Sequence, residues 1–216
     1  MMRGELVDLT YYKPTELECW LNNKYLENGI YRPSDMKIKR IAAIFGIEVH
    51  PFTGRCFADW HDNENGYFNA IIALNYMLDE ETKRERFFHE LCHPLKHVGS
   101  QNELPELAKQ LQEIQASQFQ LYAALPIYMI KEYIEQCSTI QILEKTLAAA
   151  FCLPESLVRR RLQQIENRIY WGRIEYLQKS PSPRIVITKE HVKRVQEEFG
   201  RKRQEKEEKE RMMRNG

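Results

Sequence analysis

Phe87-Phe88-His89-Glu90-Leu91-Cys92-His93-Pro94-Leu95 is the stretch from which the rest of the chain is read. Phe87, Phe88, Leu91 and Leu95 recur at helical spacing, and His89 and His93 stand four apart among them. Four residues make just over one helical turn, so both imidazoles project from one face, about 6 Å apart along the axis. That separation lets two imidazoles share one zinc ion. A glutamate beside the first histidine is then placed to take a proton from an activated water. The H-E-x-x-H pattern thus predicts a metal and a reaction together: metal-assisted hydrolysis, most often of a peptide bond.

Working upstream, Asp79 or Thr82 starts the motif helix, which should run to about His97 and stop before Gly99. Arg55 to His61 and Tyr67 to Leu74 read as strands. Asp62-Asn63-Glu64-Asn65-Gly66 between them is a turn signal, which makes the pair a hairpin. Ile47 to Phe52 reads as a further short strand. Ser34 can cap a helix with Ile38, Ile41, Ala42 and Phe45 as its stripe and Gly46 as its end. Thr15-x-x-Glu18 is a capping box, followed by Leu17, Leu21, Tyr25 and Leu26 at helical spacing and by Gly29 as a stop.

Downstream, a loop over 99–102 precedes a long helix from about Pro105 to Leu125. Its apolar stripe is Leu104, Leu107, Leu111, Ile114, Leu121 and Leu125, and Pro126 ends it. Two or three shorter helices follow to about Leu177. Ser180-Pro181-Ser182-Pro183 is a linker, and Ile185 to Ile187 a possible short strand. From Arg184 onward eleven Lys/Arg face seven Asp/Glu, the composition of a solvated tail or a basic arm.

Composition excludes several classes. With 216 residues and a formal net charge of +1, the chain can bury a full core and exerts no global pull on nucleic acid or anionic membrane. The start, Met1 to Glu5, lacks the apolar core of a signal peptide, and no apolar run approaches a membrane span. The five cysteines are odd in number and form no C-x-x-C pair, so no disulfide framework or cysteine-zinc module is indicated. These features predict a cytoplasmic protein with reduced thiols and no membrane partner.

A hydrolytic zinc site usually has three protein ligands and one open position. His97 continues the i, i+4 series, but on one continuous helix it lies about 12 Å along the axis from His89, too far to share an ion. The third ligand is therefore expected from another element. Glu106 and Glu113 on the next helix are the candidates. Glu113 is favoured, because its neighbours Ala116, Ser117, Ala123 and Ala124 are small and let two helices approach closely. Glu106 sits near the helix start, where the dipole already accounts for an acidic residue. Pro94 directly after His93 predicts a kink there. His97 is then open to two readings: it orients a ligand from outside the first shell, or it faces the helix dipole.

Together, Phe88-His89-Glu90-Leu91-Cys92-His93, Leu95-Lys96-His97, Glu113-Ile114-Gln115-Ala116-Ser117-Gln118-Phe119 and Leu125-Pro126 resemble the ImmA/IrrE metallopeptidase family, over roughly residues 30 to 165. That family has an H-E-x-x-H helix with a histidine four further on, then a helix of the form E-x-E-A-N-x-F-A ending near L-x-P. Gln115 departs from the second glutamate, Ser117 from the asparagine and Gln120 from an alanine. The resemblance implies an α+β, mostly helical, zincin-like domain with a small sheet packed on the H-E-x-x-H helix, followed by a helix-turn-helix-like region. The expected divisions are 1–30, an N-terminal helical segment; 31–135, the metallopeptidase domain; 136–178, the helix-turn-helix-like region; and 179–216, linker and charged tail.

It further implies Zn2+ held by His89, His93 and Glu113, with Glu90 as the base. Tyr122, Tyr128 and His97 are equal candidates for steadying the oxyanion. An exposed hairpin edge could pair with an extended substrate peptide; a covered edge would require rearrangement. By resemblance to relatives of prophages and mobile elements, the substrate is a partner protein, a transcriptional repressor whose cleavage relieves repression. Residues 147–162 resemble a helix-turn-helix, with Cys152 where glycine commonly sits. Arg159, Arg160 and Arg161 could meet phosphates there, although DNA contact is the lesser expectation beside docking of a protein. The competing readings are a metal-binding regulator without proteolysis and a helical interaction module without metal.

Overall fold

The computed structural model describes residues 7–62, 68–97 and 105–179. The turn at 63–66, the loop at 99–102, the linker at 180–183, the strand at 185–187 and the charged tail lie outside these residues. The chain divides into two compact units, 1–174 and 175–216. The architecture is α+β and mostly helical: eight α-helices and one three-stranded sheet among the described residues.

Helix α1 (Glu16–Glu27) starts at Thr15, whose hydroxyl accepts the Glu18 N–H at 3.1 Å. The Glu18 carboxylate is engaged elsewhere: it accepts from Tyr12 Oη and pairs with Arg161 in the core. Helix α2 (Ile38–Ile44) begins after Lys37 rather than at Ser34. Ser34 is taken into a short 3-10 turn, Pro33–Asp35, closed by the Asp35 carboxylate accepting from the Tyr31 and Arg32 N–H groups. Gly46, at φ +67°, lets the chain reverse directly into β1 (Ile47–Phe52), a backbone conformation that L side chains rarely adopt.

Strands β2 (Phe57–Asp62) and β3 (Phe68–Asn75) pair antiparallel, as a hairpin must. Strand β1 pairs parallel with β3, so the order is β1-β3-β2 and β2 is an edge. Ala70, Ile72 and Leu74 of β3 alternate into the core while Ile71 is turned out. Against the buried face lies α3 (Glu80–Glu90), capped by Asp79 accepting the Thr82 N–H at 2.8 Å.

The motif helix is interrupted at Leu91 and resumes as α4 (Cys92–Lys96). The break lies ahead of His93, not after it. Pro94 has no N–H to give the Glu90 carbonyl, so the missing hydrogen bond is felt one turn upstream. Leu91 keeps helical angles, φ −60° and ψ −28°, and the helical course carries through to His93.

Helix α5 (Glu106–Ala124) packs on α3, and its Ala116, Phe119, Ala123 and Ala124 are fully buried. Gln120 Nε2 donates to the Glu85 carbonyl at 2.7 Å, and Tyr25 Oη of α1 donates to the Ala123 carbonyl at 3.0 Å. The expected leucine stripe splits. Leu121 and Leu125 are buried, but Leu107, Leu111 and Ile114 are 80, 55 and 61% exposed. Over its first half this helix turns its small and polar side inward and its leucines out.

Helices α6 (Ile127–Ile134), α7 (Ile140–Phe151) and α8 (Glu155–Lys179) follow, and α8 is the longest helix described, at 25 residues. Cys152 joins α7 to α8 at φ 52°, in the left-handed conformation glycine favours. Of the three arginines considered for phosphate contact, Arg161 is in the core and Arg159 and Arg160 are exposed. Arg161 is fully buried: Nε donates to the Leu125 carbonyl at 3.1 Å, the guanidinium pairs with Glu18, and it lies over the Tyr122 ring. Arg159 Nε donates to Glu144 Oε2 at 3.2 Å.

Candidate metal centre

Three side chains from two segments converge. His89 is in the last turn of α3, His93 in α4, and Glu113 at mid-length in α5. One donor atom from each lies within 4.8 Å of the others, a set that could hold a metal ion. His89 Nε2 is 3.1 Å from Glu113 Oε2, His93 Nε2 is 3.7 Å from Glu113 Oε1, and the imidazole centroids are 5.3 Å apart. Glu106, two turns earlier on α5, is outside the cluster, and its carboxylate accepts from Gln110 at 3.4 Å. His97 supplies no atom to the cluster and faces the Nδ1 side of His93.

The chemistry of the donors suits a cation. Burial holds the imidazoles of His89 and His97 below their ordinary range. It lowers His93 to about 4, with His89 beside it acting in the same direction. They are neutral near pH 7, the form in which an imidazole keeps a lone pair for a metal. Glu113 adds a half-exposed carboxylate, and two imidazoles with one carboxylate is a common hydrolytic zinc set.

Glu90 is buried at 9% exposure, and its carboxyl is pushed up to about 7. Desolvation is the main cause, followed by the neighbouring Glu113 charge. Arg55, Arg86 and the hydrogen bond from the Ala58 N–H oppose them. A carboxylate with that pKa can both accept and return a proton near neutral pH.

Several contributors were not visible in the motif. Strand β2 brings Trp60 to stack on His93, with centroids 6.3 Å apart and planes 13° from parallel, and brings the Ala58 N–H to Glu90. An aromatic residue in a hairpin ahead of a metal-binding helix is a signal only once the strand is known to be an edge. The two tyrosines considered for the oxyanion are engaged by other partners. Tyr128 Oη donates to the Ile30 carbonyl at 2.6 Å, and Tyr122 Oη accepts from Arg168 at 2.6 Å. Cys92 is buried, and its thiol is held by desolvation at about 12, so it stays protonated.

Comparison with known proteins extends this geometry. The profile of the IrrE N-terminal-like domain, peptidase family M78, matches residues 42–178. The phage-like element PBSX protein XkdA of Bacillus subtilis (strain 168) is 32% identical over 155 residues, 71% of this chain and 75% of that protein. The uncharacterized protein YqaB of the same organism is 26% identical over 120 residues, 56% of this chain and 67% of that protein. Among solved structures, a Mycobacterium tuberculosis transcriptional regulator gives a TM-score of 0.47 at 17% identity, over 69% of this chain and 47% of that one.

Proposed function

Because this chain belongs to the IrrE N-terminal-like family, which is of metallopeptidase type, we propose that it is a zinc-dependent endopeptidase acting on a partner protein, a helix-turn-helix transcriptional repressor. The observation that carries the reading is the convergence of His89 Nε2, His93 Nε2 and the Glu113 carboxylate beside the buried Glu90. The three would hold the ion. A zinc ion bound there supplies Lewis acidity toward a carbonyl and makes a water molecule easier to deprotonate.

Glu90 takes the proton of the attacking water and returns it to the leaving amine. Burial destabilises its ionised form, and the Ala58 N–H offsets part of that effect. Strand β2 has β3 as its one sheet neighbour among the described residues, which leaves an edge on which an extended peptide can pair. The Trp60 ring of that strand stacks on His93 and the Ala58 N–H acts on Glu90, so a peptide paired there would lie near the metal cluster.

The repressor as substrate draws on the family resemblance and on the likeness to a protein of a phage-like element. No described helix is long and apolar enough to cross a membrane. Co-expression with repressors encoded beside this chain tests the proposal. Cleavage by wild type and not by Glu90→Gln supports it; repressor binding without any cleavage favours a metal-binding regulator.

A further inference from the structure

His97 is buried next to the metal cluster without joining it. Its Nδ1 lies 3.0 Å from Nδ1 of His93, with ring centroids 5.0 Å apart. Its Nε2 is buried and makes no well-formed hydrogen bond among the described residues, while the Gln115 side chain interacts with the same ring. The chain leaves the helix at His97, whose N–H still reaches the His93 carbonyl at 3.0 Å. His93 is thus held between Trp60, stacked on its ring, and His97, at its Nδ1 edge.

Two facing nitrogens 3.0 Å apart need one proton between them: two lone pairs repel and two N–H groups collide. The use of His93 decides where that proton lies. His93 turns Nε2 toward Glu113 at 3.7 Å, and a nitrogen that ligates a cation keeps its lone pair. Neutral His93 then carries its proton on Nδ1. His97 Nδ1 must be the acceptor, and the remaining proton of neutral His97 sits on Nε2, on the ring that Gln115 touches.

We propose that His97 is a positioning residue: by accepting the Nδ1 proton of His93, it fixes the tautomer and ring angle that aim Nε2 at His89 and Glu113. Carboxylates and backbone carbonyls commonly fill this place behind a metal-binding histidine; here a second imidazole does. The inference rests on the metal-centre reading of the same cluster.

Zinc affinity of the full chain, measured by competition with a chromophoric chelator, tests it through His97→Phe and His97→Asn. Phenylalanine keeps the ring and removes the acceptor; asparagine puts an oxygen near the place of Nδ1. The expected result is zinc binding roughly 10- to 100-fold weaker in His97→Phe and largely restored in His97→Asn. Wild-type affinity in His97→Phe, or equal weakening in both variants, overturns the proposal. Long-range proton–nitrogen spectra of histidine-labelled, zinc-loaded wild type give a reading that needs no variant. They should show His93 protonated at Nδ1 and His97 at Nε2; a proton on Nδ1 of His97 overturns the proposal. Wild type that binds no zinc, or His93→Ala that binds it as well as wild type, removes the metal-centre reading itself and is distinct from every outcome above.

Discussion

His89 Nε2 and Glu113 Oε2 lie 3.1 Å apart, joining the last turn of α3 to the middle of α5 across 24 positions of sequence. Glu113 also approaches His93, so one carboxylate bridges both imidazoles. If these three are the ligands, Glu113→Ala should weaken zinc binding by more than about 100-fold, beyond the range of an outer-shell contact. Glu106→Ala should leave it unchanged. Equilibrium dialysis with metal analysis reads both, and equal zinc uptake by Glu113→Ala and wild type would remove Glu113 from the site.

On the proposed reading, Glu90 transfers the proton and does not hold the ion. Glu90→Gln is expected to keep stoichiometric zinc while lowering the rate of substrate cleavage by about 10²- to 10⁴-fold. Loss of zinc in this variant would make Glu90 a ligand instead. Cleavage at the wild-type rate would assign the base elsewhere.

Acid–base behaviour of the metal-free protein contains two opposed contributions. Glu90 is raised from 4.5 to about 7, so its contribution to stability is fully present below pH 4.5 and is lost as pH rises through about 7. His93 is lowered from 6.5 to about 4, so its contribution is present above pH 6.5 and is lost as pH falls through about 4. Each is on the order of 3 kcal/mol, and over this window they largely offset. Glu90→Gln removes the first alone. Its metal-free stability should therefore drop on acidification from pH 6.5 to 4 more steeply than that of wild type. Urea midpoints in the presence of a chelator give the comparison; parallel profiles for the two proteins would contradict it.

Glu18 and Arg161 form a fully buried ion pair that ties α1 to α8, supported by Tyr12, Gln164 and the Leu125 carbonyl. Replacing Arg161 by methionine leaves the Glu18 carboxylate buried without its cation and should cost about 3–5 kcal/mol. The double variant Glu18→Leu/Arg161→Met should recover much of that loss, because no uncompensated charge remains. A denaturation cycle over the four proteins measures the coupling. No coupling would mean that the pair is solvated in solution.

Cys152 adopts a left-handed backbone, φ 52° and ψ 59°, at the end of α7. Glycine meets no Cβ penalty there, so Cys152→Gly should raise stability by about 1 kcal/mol. A lower thermal midpoint would show that packing of the half-buried thiol outweighs the backbone strain.

Much of this molecule was legible locally. Asp79 caps α3 and Thr15 caps α1 because a side-chain oxygen and an N–H three residues on are all that an N-cap needs. Strand β1 runs over Ile47–Phe52, and β2 and β3 form the hairpin that their flanking turn residues signalled. The effect of Pro94 was legible in kind but not in place, because the carbonyl it deprives is four residues upstream. The leucines of α5 were misleading. Leu107, Leu111 and Ile114 repeat as a buried stripe would, yet the side of the helix turned inward is the one with Glu113 and the alanines.

The sequence by itself determined that His89 and His93 share a face with Glu90 beside them, since that relation is set by 3.6 residues per turn and needs no partner. It also determined the caps at Thr15 and Asp79 and the hairpin. Only the tertiary structure decided that Glu113 reaches both imidazoles, that β2 sets Trp60 and the Ala58 N–H against the motif, and that Arg161 belongs to the core rather than to a phosphate-binding surface. The physical reason is range. Backbone hydrogen-bond periodicity is written within a few residues, whereas which face of a helix is covered depends on the desolvation of side chains supplied by elements far away in the chain.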